Sequence, residues 1–154
     1  MSRSLSLSEI NFASHVFKGL KMITWITHPD YDIPLPPGHR FTSTKFSDLF
    51  GLLKKSKYMK SATLLMPEKA EAEQVEIAHC SAYVEKIKTG SLDEKEQRRL
   101  GLQWSPALAK RSFIAVNGSL LAARSALKYG ISCHLAGGTH HSHFDFGSGF
   151  CVFN

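Results

Sequence analysis

Residues 131–154 read ISCHLAGGTHHSHFDFGSGFCVFN, and this stretch decides both the fold class and the place where chemistry belongs. Ile131 to Ala136 is a short apolar run of the kind that forms a buried strand. Gly137 and Gly138 end it, and the tandem pair His140-His141 follows on a glycine-rich loop. An α/β protein carries its chemistry at such a point, beyond the carboxyl end of a strand. Four of the eight histidines fall between His134 and His143, which marks the loop as the candidate site.

The segments upstream support the same class. Ser105-Pro106 is a helix start, with serine as N-cap and proline at the first helical position, where its missing N–H costs nothing. The helix that follows carries Leu108, Ile114, Leu120, Leu121, Ala126 and Leu127 and ends at Gly130, while Gly118 inside it suggests a close approach to the sheet. Ile23 to Thr27 and Ala62 to Met66 read as strands, and Phe46, Leu49, Phe50, Leu52 and Leu53 recur at helical spacing between Lys45 and Lys55. Glu71 to Ala78 and Ala82 to Lys88 read as two short helices, and the charge run Ser91 to Gly101 as a solvated face or loop. His28 to Arg40, with four prolines, is an ordered surface loop. Strand, helix and strand in this order predict an α/β domain with a mainly parallel sheet.

Composition narrows the function classes. Cys80, Cys133 and Cys151 are an odd number without a CxxC pair, so neither a disulfide framework nor a structural zinc site is suggested. The formal charge of +6 permits an acidic partner, but lysine and arginine are scattered along the chain, and nucleic-acid binding is not expected. With no apolar run approaching a membrane span, a soluble cytoplasmic protein is expected. Residues 1–21 are serine-rich with Arg3, Lys18 and Lys21 against Glu9, and are expected to be a disordered leader or extension ahead of a domain over residues 22–154.

Adjacent loop histidines can bind metal, transfer protons, or simply pack and hydrogen-bond, and spacing alone does not choose. His140, His141 and His143 give an HHxH pattern, but consecutive side chains diverge, whereas zinc wants three or four converging ligands. Two neutral imidazoles side by side suit proton transfer, since an ordinary pKa near 6.5 lets one accept while the other donates.

The run LAGGTHHSHFDFGSGFCVFN resembles the active-site segment of the histone deacetylase superfamily, in particular its bacterial, acetylpolyamine amidohydrolase and acetoin-utilisation branches. HPDYDIPLPPGHRF, VEIAHCSAYVEKI, GLQWSPALAKRS and GSLLAARSAL extend the resemblance over residues 23–154. It implies a three-layer α/β/α arginase-deacetylase fold and hydrolysis of an N-acetyl amide on an acetylated lysine or polyamine-like substrate. By motif position it implies His141 as general base and His140 as the partner that holds the attacking water and stabilises developing charge. Gly149 and Phe150 would line a narrow tunnel for the acyl-bearing side chain, and Arg40 and Cys151 would flank the cavity that receives released acetate. Thr42-Ser43-Thr44 replace the proline and methionine usual in the family, so the shape of that loop departs from its pattern, and Thr139 stands where some eukaryotic members carry a tunnel-side aromatic, which points to a bacterial-type pocket.

The family's zinc ligands, an Asp-x-His pair and a later aspartate, would lie beyond Asn154. Zinc is therefore implied for the complete enzyme and none for this chain, which is expected to be an N-terminal portion produced by a premature stop, a split gene or an artificial boundary. It is expected to be inactive alone, either pairing with a separately encoded C-terminal half or serving as a non-catalytic binding or regulatory module.

Overall fold

A computed structural model describes residues 23–154, so the leader expected over residues 1–21 lies outside the described residues. The sheet is built from β1 (Ile23–Ile26), β2 (Ala62–Leu65) and β3 (Ser132–His134). All three run parallel in the order β2-β1-β3, with Trp25 opposite both Leu64 and Cys133. Thr24, Trp25, Ile26 and Thr27 are all buried, as expected of a central parallel strand covered on both faces. The expected parallel α/β class is thereby observed.

The helices are α1 (Lys45–Lys55), α2 (Ala72–Val75), α3 (Ser81–Thr89), α4 (Glu94–Leu100) and α5 (Pro106–Tyr129). Helix α5 starts as its sequence dictates. The Ser105 hydroxyl accepts from the Leu108 N–H, Pro106 opens the first turn, and Gly130 closes the last with its N–H on the Ala126 carbonyl. Its inner face joins Tyr83, Val84 and Ile87 of α3, Leu100 of α4 and Val152-Phe153 in one apolar core. A smaller cluster of Tyr31, Phe46 and Ile114 ties α1 to α5. No helix among the described residues is long and apolar enough to cross a membrane.

One expectation is corrected. The charge run Ser91 to Gly101 contains helix α4, because Asp93 and Glu96 form a reciprocal capping box and Gly101 ends the helix in a left-handed conformation. Its last residue, Leu100, is buried. Residues 151–153 form a buried turn and coil, whose carbonyls are claimed by side chains from elsewhere: Val152 by the hydroxyls of Tyr83 and Ser142, and Phe153 by that of Thr139.

Candidate active site

The site is assembled at the carboxyl end of β3. Leu135 still donates to the Ile26 carbonyl, and a turn at Gly137, whose φ is +71°, then swings the chain away from the sheet. Residues 139–142 are lashed to residues 152–154. Besides the Thr139 and Ser142 hydroxyls, the Ser142 N–H donates to Asn154 Oδ1 at 3.1 Å and Asn154 Nδ2 to the Ser142 carbonyl at 2.7 Å. His79, almost wholly buried, braces both sides: its Nδ1 lies 2.9 Å from the His143 carbonyl, and its Nε2 accepts the Asn154 N–H at 3.0 Å. Those partners require the Nδ1–H tautomer. Burial holds the ring's pKa below the usual imidazole range, which preserves that neutral form.

His140 and His141 project from this braced loop into solvent. Their ring centroids are 4.1 Å apart, and neither side chain has a hydrogen-bond partner among the described residues. His143 turns elsewhere, stacking on Phe146 at 4.2 Å. Among the described residues no group of three or more histidine, cysteine, aspartate or glutamate side chains converges to hold a metal ion. The tandem pair offers two imidazoles and the third diverges, so these residues alone do not fit a zinc centre.

Gly149 and Phe150 occupy the tip of a tight turn closed by the Ser148 N–H on the Cys151 carbonyl and the Cys151 N–H on the Ser148 carbonyl. Both have positive φ, 54° and 66°. Glycine tolerates this, and here a Cβ would approach His141 Cβ and Cγ to 3.2 Å, so the bare backbone lies directly against the histidine. Phenylalanine does not tolerate it, at a cost of roughly 1–2 kcal/mol. The strain is held by the Phe150 N–H on the Leu100 carbonyl, 2.8 Å, and by a socket for the ring made from His39, Phe41 and the bare Cα of Gly101. Strained non-glycine residues of this kind cluster at active sites and ligand clamps.

Arg40 is exposed, with its guanidinium 6.0 Å from the Phe150 ring centroid, and Cys151 is buried. Arg40 and Phe150 are brought together. The guanidinium that lies inside the protein belongs to Arg111, 5% exposed, whose Nε donates to the Tyr31 carbonyl at 2.8 Å between the rings of Phe41 and Phe46. Arg111 shares a crevice of about 20 Å³ with Gly137, Thr139 and Asn154, room for about one water molecule behind the histidine loop.

Sequence reasoning missed His79, Tyr83, Arg111, Ser142 and Asn154. One signal was available: His79, just ahead of α3, and Tyr83, in its first turn, stand four residues apart, and both reach the terminal segment.

The chain is therefore a parallel α/β protein with tandem histidines on a braced loop beyond the carboxyl end of a strand, facing a strained turn at Gly149-Phe150. The comparisons then give the family. The histone deacetylase domain pattern matches residues 39–154, and the chain belongs to the histone deacetylase family. It is 40% identical over 129 residues to an uncharacterised protein of Picosynechococcus sp., covering 84% of this chain and 43% of that one. To the acetoin utilization protein AcuC of Staphylococcus xylosus it is 28% identical over 126 residues, covering 75% of this chain and 33% of the relative. AcuC of Bacillus subtilis matches at 28% over 127 residues with the same coverage. The crystal structure of the HDA15 HD domain superposes with a TM-score of 0.67 at 11% identity, over 87% of this chain and 40% of that one, which shows that the fold is shared. The chain thus spans less than half the length of these relatives.

Proposed function

We propose that this chain is the histidine-bearing portion of a zinc-dependent deacetylase, hydrolysing N-acetyl amides of acetyl-lysine or acetylpolyamine type to amine and acetate. One observation carries the reading: two solvent-open imidazoles, 4.1 Å apart, stand against the bare backbone of Gly149 on a loop anchored by buried His79 and Asn154. In this reading His141 takes the proton of the attacking water, and His140 orients that water and offsets the charge that grows on the acyl oxygen. Gly149 and the Phe150 ring border the path of the substrate's methylene chain, which gains by leaving water. Arg40 and Cys151 are assigned to the route of the departing acetate. Because the described residues do not assemble a metal site, the zinc that such chemistry uses would be held by other residues of a complete domain, in one chain or supplied by a separate C-terminal half.

The test is complementation. The chain is co-expressed with the portion of the Picosynechococcus relative that follows its matched region, and acetate release from an acetyl-lysine peptide and from acetylputrescine is measured with and without a chelator. Turnover by the pair but not by the chain alone is the expected result. A pair that assembles and binds zinc yet releases no acetate would overturn the reading.

A further inference from the structure

The face formed by α1, the turn after it and β2 combines apolar side chains in water with cations that have no anion. Met66 is 67% exposed and Tyr58, in the turn after α1, 56%, and a hollow of about 550 Å³ opens between Phe50, Leu64, Met66, Pro29 and Thr27. Between Lys45 and Lys60 the chain carries five lysines against the single Asp48, a net +4 out of a total formal charge of +6. No lysine of this stretch forms an ion pair among the described residues, whereas ion pairs form at Lys86, Lys88, Arg98 and Lys110. Lys54 and Lys57 lie instead over the rings of Phe50 and Tyr58, each 5.3 Å from the ring centroid, and since Phe50 lines the hollow this holds the Lys54 charge at its rim. β2 is an edge strand of the sheet, and among the described residues no strand pairs with its outer side.

We propose that this face docks an acidic segment of a partner protein that inserts leucine- or phenylalanine-like anchors into the hollow while its carboxylates meet Lys54, Lys55, Lys57 and Lys60. Charge selects this occupant over the others. A second copy would set +4 against +4, and the residues preceding β1 are themselves basic, with Arg3, Lys18 and Lys21 against Glu9. Nucleic acid would leave the hollow unfilled and would find no arginine between Lys45 and Lys60 for bidentate phosphate contact. A lipid surface is flat where this site is concave. The proposal is independent of the deacetylase reading, since none of these residues touches the histidine loop.

Fluorescence anisotropy with a short labelled peptide of glutamates and leucines tests it on the whole chain. Expected are micromolar binding that weakens with salt, and a loss of roughly 10-fold or more in Lys54→Glu/Lys57→Glu/Lys60→Glu and in Met66→Ser. Lys88→Glu, on α3, should leave binding unchanged, and circular dichroism should show every variant folded. The proposal is overturned by absence of binding, by equal binding of a peptide whose leucines are replaced by serine, or by tighter binding of single-stranded DNA or phosphatidylserine vesicles.

Discussion

Gly118 shows how one missing atom can shape the interior. A Cβ there would fall 2.4 Å from His134 Nε2 and 2.5 Å from the Tyr31 hydroxyl, two groups that lie 2.7 Å from each other. Glycine to alanine inside a helix ordinarily stabilises by about 1 kcal/mol, but here the new methyl must force apart a buried hydrogen-bonded pair. We expect Gly118→Ala to lower stability by roughly 2 kcal/mol in urea unfolding, since overpacking of a tight core costs about 1–3 kcal/mol. A raised midpoint would show that the pair yields freely. His134 itself makes stability depend on pH. Burial, aided by the Arg111 charge, pushes its pKa down to about 4, against about 6.5 when unfolded. The unfolded chain therefore binds the proton more readily between those values, and the stability that His134 contributes is complete above pH 6.5 and is lost as pH falls to about 4. Allowing for partial solvent screening, the loss is on the order of 2 kcal/mol. The buried His79 shifts in the same direction. A His134→Gln chain followed by urea unfolding from pH 7 to 4 should show a shallower decline, and an equal slope would remove His134 as the cause.

At the scale of the element, what the sequence made legible was what depends on neighbours along the chain. Helix α1 runs from Lys45 to Lys55 as its apolar spacing predicts, and α5 from Pro106 to Tyr129 between the caps read at Ser105 and Gly130. The strand read over residues 131–136 shortens to Ser132–His134, because the Gly137 turn bends the chain away. Helix α4 was hidden by charge although its start signal, Asp93 three residues before Glu96, stands in the sequence. If that box holds the helix, Asp93→Ala should cost about 1 kcal/mol and increase proteolysis near Arg98 and Arg99. Because α4 ends in the Leu100 carbonyl and Gly101 that seat Phe150, the same variant should change the reactivity of the loop at residues 148–151. Hydrogen exchange at the Phe150 amide reads this directly, and unchanged exchange would detach the helix from the site. The tandem histidines and Gly149 could be found from their motif. The bracing by His79, Tyr83 and Asn154 left only the four-residue spacing of His79 and Tyr83 as a local trace, since those contacts span 64 to 75 residues.

In the molecule as a whole, the two sheet edges differ in their protection. β2 is preceded by Lys57 and Lys60, charges of the kind that keep an edge from pairing with another chain. β3 reads Ser132-Cys133-His134, with no charged side chain, Cys133 exposed, and Leu127 and Tyr129 open to solvent just before it. A parallel sheet needs cover on both faces and pairing at its strands, so the β3 side is where the described fold is least complete. Self-association through that side follows. Sedimentation velocity in the presence of reductant, which removes disulfide dimers through the Cys133 thiol, should show association that grows with concentration. Cys133→Lys should suppress it by placing a charge at the edge, whereas Lys88→Glu should not. Association that persists unchanged in Cys133→Lys would move the contact away from β3, and a monomer at every concentration would show that this edge is already shielded.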